Sequence, residues 1–444
     1  MQHDSLEDIL STVGEPVEFL RDLGLGTFTK VPDEYTHWIE EQRSWRESVA
    51  LADQSYHMTE LQFSGPDALE LLRDVGVNNF DEYAVGKAKQ LVVANPHGKF
   101  IGDAVLFHVA ENEFLSVGGA AAHNWLEYQA EIGEYDVSVS FQPRPVAAKI
   151  DPNYFRFQLQ GPNAVALMET VADEPLPELP FFNFSEVSVA GTTVQLFRHG
   201  MAGETGFEFW GPYEEGESVK AAIVEAGKAY DLRRLGGKSY QSANVMLGWV
   251  PLPLPAVYSG EEMKSFREWV DARRGILSIG GSYDSDDIED YYVSPLELGY
   301  DHIVDLDHDF IGRDAIAADM ERSLRKKVTL EWDPDDVQDA FGSLFSEDPA
   351  RYMKFPVPRS AACHYDTVRS DDEHVGVSKW MSYIYNEKSM LSLALIDEAY
   401  AEPGTELTLV WGEADGSDNP VVERHSLTEI DVTVAPAPYK ADNR

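Results

Sequence analysis

Apolar residues recur at helical spacing over residues 35–49, where Trp38, Trp45 and Val49 fall near one face, and this predicts an amphipathic helix. Residues 58–72 read as a strand running into Gly65, then a helix with Pro66 near its first turn, where a missing N–H does no harm. The device returns at residues 157–168, around Gly161-Pro162. Two such units predict an internally repeated α+β body, or simply two ordinary helix starts. Between them lies a meander: strands at 89–95, 100–109 and 114–118, joined by Pro96-His97-Gly98 and an Ala-Glu-Asn-Glu turn. A helix is predicted at 120–132, and a strand-to-helix turn at 309–316. After about Met320 the pattern becomes β-rich, at 326–332, 389–395 and 406–411, with acidic turns between. The boundary falls near 315–325. Residues 1–34 read as a mobile or loosely docked lead-in, so the expected division is 1–34, 35–318 and 319–444.

The stretch Gly200-Met-Ala-Gly-Glu-Thr-Gly-Phe-Glu-Phe-Trp210 reads as strand, loop and strand. Its glycines let the backbone approach a ligand closely. A carboxylate at Glu204 can accept two parallel hydrogen bonds from a ring with adjacent N–H donors, such as a pterin, or it is a solvated residue on a tight hairpin.

Composition narrows the class. The 444 residues carry 35 basic and 78 acidic side chains, for a net charge of −43. Nucleic acid is excluded as a partner, because its binding rests on phosphate neutralisation by Lys and Arg. An anionic membrane is repelled in the same way. With 11% aromatic residues the chain is not compositionally disordered, so the charge points to a folded protein adapted to high salt. The single cysteine, Cys363, rules out an intrachain disulfide and fits a reducing cytoplasm. No secretory signal is read at the start. The most apolar run, 245–258, is broken by Pro251, Pro253 and Pro255. No metal is expected: the acidic segment 301–309 lacks the glycine and closing glutamate of a calcium loop. Gly280-Gly-Ser lacks the ending of a phosphate loop.

Ser55-Tyr-His-Met58, Gly65-Pro-Asp-Ala68, Asn95-Pro-His-Gly-Lys-Phe-Ile-Gly-Asp103 and Leu159-Gln-Gly-Pro-Asn-Ala164 occur in this order, followed by Gly203-Glu-Thr-Gly-Phe-Glu208, Ser294-Pro-Leu-Glu-Leu-Gly299, Asp309-Phe-Ile-Gly-Arg313 and Pro438-Tyr-Lys440. Together these segments resemble the aminomethyltransferase family, typified by the glycine cleavage T-protein. The resemblance implies an α+β, T-protein-like folate-binding body of interleaved subdomains, followed by a C-terminal β-barrel, with tetrahydrofolate in a central channel. By position it implies Glu204 on the pterin, Tyr439 lining the same pocket and Asp103 as the catalytic carboxylate. The family has two successive Asp residues where this chain has Gly102-Asp103. Lys238 stands where T-proteins carry Arg, facing a folate carboxylate.

The insertion 248–292, with Tyr35-Thr-His-Trp38 and Gly118-Gly119, is similar to the branch of tetrahydrofolate-dependent vanillate and syringate O-demethylases. That branch implies a small methoxylated aromatic as methyl donor. It also implies an Arg near Gly119 for an aromatic carboxylate; here the position is glycine, so another basic residue substitutes or the donor is not a benzoate. Methyl transfer from an aryl ether needs a proton donor at the departing oxygen. Tyr240 is the first candidate and His57 the second, each with an ordinary core reading beside it. Tyr35, Trp249 and Tyr258 are candidates for the substrate wall, where flat rings and fixed prolines suit an aromatic ligand. Alternatives are a sulfonium or amine donor, or a folate-binding protein without transferase activity. Relatives of the last kind carry Lys-Gly-Cys-Tyr, whereas the only cysteine here lies in Ala362-Cys-His364.

Overall fold

The computed structural model describes residues 4–26, 28–414, 419 and 421–440. Two sheets, interleaved in the sequence, form the body. The six-stranded sheet runs Leu232–Leu235, Val49–Asp53, Tyr154–Gln160, Gly206–Pro212, Thr192–Arg198 and Phe184–Val189. Its first pair is parallel and the rest antiparallel. The five-stranded sheet runs Ala88–Ala94, Phe100–Ala110, Glu113–Gly118, Thr59–Ser64 and Ser138–Gln142, antiparallel throughout. The chain thus leaves the first sheet at Asp53, builds the second, and returns at Tyr154. A closed barrel follows, from Arg325–Trp332 to Thr428–Ala435.

The Gly-Pro units are present in both sheets. Gly65 and Gly161 take φ of 147° and 119°, and a Cβ on either would collide with backbone oxygens, of Asp136 and Ser48 respectively. The helices that follow are Ala68–Val75 and Ala164–Val171. Pro66 therefore sits in the turn ahead of the helix, not in its first turn. The meander and the helix Ala120–Ile132 lie where the pattern put them. The segment around Asp309 contributes no strand; Gly312, at φ 88°, opens the helix Arg313–Asp319 directly.

The lead-in is packed, not loose. Its helices Leu6–Leu10 and Pro16–Arg21 bury Leu6 and Leu20 completely in the main core. Arg21 donates to the carbonyl oxygens of Gly281 and Tyr283. The predicted helix at 35–49 is shorter, Trp38–Glu47, because Val49 begins a strand. Its inward face carries a fully buried carboxylate, Glu41. That group accepts from the backbone N–H of Tyr35, Thr36 and Gly236 and from Ser239 Oγ. Four donors fix the start of the helix Gly237–Leu247 against its neighbour.

Like charges on so acidic a surface repel, and salt screens them. The melting temperature should fall steeply when KCl is lowered from molar to millimolar. Thermal unfolding followed by circular dichroism checks this, and an unchanged midpoint would contradict it.

Candidate functional site

Where the chain crosses from the first sheet to the second, residues Gln54 to Met58 turn beneath the helix Gly237–Leu247. Tyr240, in the first turn of that helix, meets them. Gln54 Nε2 donates to the Tyr240 hydroxyl at 3.1 Å, and His57 Nε2 lies 3.1 Å from the same oxygen. The structure therefore joins two of the expected catalytic residues. Phe28, from the lead-in, closes over them, with ring centroids 4.9 Å from His57 and 6.0 Å from Tyr240. Burial pushes the Tyr240 hydroxyl well above its ordinary value. Burial, with Arg144 and Arg156 nearby, pulls the His57 imidazole down to about 3, so His57 is neutral at physiological pH.

Strand pairing brings the next layer. Gln158 is opposite both Ala52 and Glu208, and accepts from Gln54 Nε2 at 3.0 Å. Arg156, 2% exposed, donates to Glu208 at 2.8 Å and lies 3.5 Å from Glu60. Burial raises both carboxylic acids above their ordinary range and Arg156 holds them down. Several buried polar atoms here lack a hydrogen-bond partner: Gln54 Oε1, Gln158 Nε2, Gln160 Oε1 and His57 Nδ1. Orphaned polar atoms are rare in folded interiors, and a cluster of them marks a place where a polar ligand completes the bonding.

Asp103 occupies a separate cluster. Its Oδ2 accepts from Gln90 Nε2 at 2.8 Å, Trp249 Nε1 at 2.8 Å and the Tyr300 hydroxyl. Burial raises its carboxyl and these three donors oppose the rise. Lys327 stands nearby, its ammonium brought down to about 8 by burial while Asp103 resists. Asp103 and Trp249, 146 residues apart, are thus brought together.

Tyr439 packs with Tyr240 against the apolar cluster that includes Met201 and Ala202, just ahead of Glu204. Glu204 is held in an ion pair by Arg46 at 2.8 Å. Tyr439 donates to Glu331 at 3.1 Å, and Lys238 pairs with Glu34. Tyr35 lies under the Arg234 guanidinium, 3.8 Å from the ring centroid. Tyr258 is buried in the main core. It is 4% exposed, and its hydroxyl donates to Gly275 O and accepts from Leu277 N–H. Among the described residues no group of His, Cys, Asp and Glu is arranged to hold a metal ion, and no helix is long and apolar enough to cross a membrane.

The motif reading missed Phe28, Gln54, Glu60, Arg156, Gln158 and Glu208. One signal was available. In Phe155-Arg-Phe-Gln-Leu-Gln160 and Phe207-Glu-Phe209, polar residues alternate with aromatic or aliphatic ones, yet both faces are buried. Polar side chains on a covered face need partners, and they meet one another here.

Comparison with known proteins gives a consistent picture. The GCVT N-terminal domain family matches residues 18–246. Syringate O-demethylase of a Sphingobium species is 43% identical over 98% of this chain and 96% of its own. Sesamin methylene transferase of a Sinomonas species is 31% identical over 85% and 82%. The crystal structure of the glycine cleavage system aminomethyltransferase T from Bartonella henselae superposes with a TM-score of 0.60 at 15% identity, covering 96% of each chain, a likeness of fold.

Proposed function

The chain belongs to the family of the GCVT N-terminal domain, and on that footing we propose that it is a tetrahydrofolate-dependent methyltransferase that O-demethylates a small methoxylated aromatic to a phenol. The observation that carries the reading is the Gln54–Tyr240–His57 contact set amid orphaned amides. The syringate and sesamin relatives support an aromatic ether as donor. The division into 1–34, 35–318 and 319–444 goes with this reading. So does a cytoplasmic location, supported by one buried cysteine.

The residues present fit a reduced folate. A pterin edge offers donors and acceptors side by side, and Gln54 Oε1, Gln158 Nε2 and Gln160 Oε1 are unmatched groups of both kinds. We propose Glu204 for the carboxylate contact; its ion pair with Arg46 at 2.8 Å no more excludes it than the Arg156 pair at 2.8 Å excludes Glu208. Lys238 is assigned to a folate carboxylate and Tyr439 to the lining of the pterin pocket. Tetrahydrofolate supplies the amine that accepts the methyl group.

The protein's task is at the departing oxygen. Phenolate is a poor leaving group unless a proton or hydrogen bond meets it. With neutral His57 protonated on Nε2, Tyr240 Oη accepts from both Gln54 and His57. Its own hydrogen is then free to point at the ether oxygen. When that hydrogen moves, the two donors stabilise the charge left on Tyr240. Asp103 has no need to act as base, since a neutral amine is the nucleophile and the proton shed after transfer restores the Tyr240 hydroxyl. We assign it to holding Trp249 and Tyr300, and through them the pocket wall.

Incubation with tetrahydrofolate and a panel of methoxyphenols, sulfoniums and methylamines in high salt tests the proposal. 5-Methyltetrahydrofolate should form from the methoxyphenols; formation from sulfoniums or amines alone would overturn it. In the same preparation Glu204→Gln should weaken tetrahydrofolate binding by about 10- to 100-fold, the loss typical of a charged hydrogen bond, and unchanged calorimetric affinity would move the contact to Glu208.

A further inference from the structure

The two sheets of the body face each other, and strand register fixes which side chains lie between them. On the five-stranded sheet Gln62 is opposite Leu115 and Ser140, and Ser64 is opposite Glu113 and Ser138, so all six share one face with Glu60. On the six-stranded sheet Trp210 is opposite Arg156 and Gln195. Tyr154 and Thr193, each two residues along its strand, share that face. The faces close where Arg156 comes within 3.5 Å of Glu60. At the strand ends remote from His57 they part. Gln62 Nε2 reaches the Tyr154 hydroxyl at 3.4 Å, and beyond this pair a cleft of about 470 Å³ opens between the sheets. Trp210 and Leu115, each 3% exposed, form its floor, and the exposed Ser138, Ser140 and Thr193 its rim. A hollow of about 10 Å³ shares Tyr154 with the cleft and is lined by Gln54, Glu60 and Arg156, whose Oε1, Oε2 and Nη2 atoms are buried without a hydrogen-bond partner.

We infer that this cleft is a second binding site, separate from the reacting centre, that takes an uncharged phenol; the choice of a phenol rests on the function proposed above. Three arguments support it. The first is charge. A quarter of the chain is charged, yet among the described residues the lining of the cleft carries one charged side chain, Glu113. A neutral ligand meets no repulsion there, whereas an anion meets that carboxylate and no cation. The second is shape. Sheets pack about 10 Å apart face to face, and small side chains at the rim leave a slot between them that suits a flat ring. Its volume is that of a small-molecule site, and it lies between two subdomains, where such sites concentrate. The third is chemistry. Tyr154 and Trp210 offer aromatic surface, and the amides of Gln62 and Gln195 stand beside them to meet a ring hydroxyl. The Trp210 floor is also the ring under the Arg156 guanidinium, 4.8 Å from its centroid, so an occupant of the cleft sits one row of side chains from the Arg156–Glu208 pair.

Catechol titrated calorimetrically into the full chain in high salt tests the inference. Wild type should take up two equivalents, one beside Tyr240 and one in the cleft. Ser140→Trp and Thr193→Trp fill the cleft from opposite sheets, and each should take up one equivalent fewer while keeping the wild-type melting temperature and tetrahydrofolate affinity. Gln195→Leu, a milder change, should keep the second equivalent but weaken it about 3- to 10-fold, the loss of one neutral hydrogen bond. Folded blocked variants that bind as much catechol as wild type would overturn the inference. So would 3,4-dihydroxybenzoate entering the cleft as tightly as catechol, since the site would then not select a neutral ring. The equivalent lost on blocking, not the total, decides the matter. A wild-type total of one that vanishes in both blocked variants would leave the cleft standing and count against the function proposed above.

Discussion

Replacing Tyr240 by Phe should lower kcat for aryl ether demethylation by about a hundred- to ten-thousand-fold, the range expected when a positioned proton donor is lost. The ring stays, and with it the packing against Phe28 and His57. What goes is the oxygen on which Gln54 and His57 converge. Tetrahydrofolate affinity should remain within about twofold, because the interaction removed is made chiefly in the transition state. The pH profile adds a second readout. With Tyr240 raised by burial and His57 lowered to about 3, neither group changes state across the neutral range, so the wild-type rate should be flat there. The sign of the His57 effect on stability follows. Its folded value lies below the unfolded 6.5, so the unfolded chain binds the extra proton between about 6.5 and 3. Stability is lost as pH falls through that window. Steady-state kinetics and folate titration of the Phe variant check the prediction, and full activity would remove Tyr240 as the donor.

Arg156→Met should be the most destabilising single change in the site, costing about 3–5 kcal/mol, because it leaves two buried carboxylates facing one another without their cation. Arg156 donates to Glu208, lies beside Glu60, and stacks 4.8 Å from the centroid of Trp210. The loss should depend on pH in a defined direction. Both acids have folded values raised above the unfolded 4.5, more so without Arg156. Above 4.5 the folded variant therefore holds more protons than the unfolded chain, and its stability declines as pH rises through the raised values. The deficit against wild type should be smallest near pH 4.5 and largest at neutral pH. Urea unfolding in high salt measures it. Adding Glu60→Gln and Glu208→Gln to the same chain should recover most of the loss, since removing the whole charged set is far less costly than breaking it. A deficit independent of pH would mean that lost packing against Trp210, not charge, was responsible.

The fold was legible where local pattern decides structure. Alternation and turn residues located the meander from Ala88 to Gly118, and the Gly-Pro breaks marked both strand-to-helix units, with Pro66 misplaced only by its offset from Ala68. The lead-in was not legible, because its order comes from contacts such as Arg21 to Gly281, some 260 positions away. The site divides the same way. Tyr240 and His57 were named from motifs and do meet, but Phe28, Gln54, Gln158 and Glu208 converge from four separate segments, of which strand register aligns Gln158 and Glu208. Glu204 was legible as the carboxylate of its hairpin, whereas Glu208 gains its place opposite Gln158 only through strand register. Asp103 likewise gained its partners from Trp249 and Tyr300, each well over a hundred residues distant.

A single turnover with an isotopically labelled methoxy donor, excess folded protein and tetrahydrofolate, followed by nuclear magnetic resonance, tests the central claim most directly. The labelled carbon should appear on the coenzyme amine, in step with release of one equivalent of phenol, and should remain on the ether when the protein is the Tyr240→Phe variant. Label appearing in methanol or formaldehyde, or phenol released without coenzyme, would contradict the account.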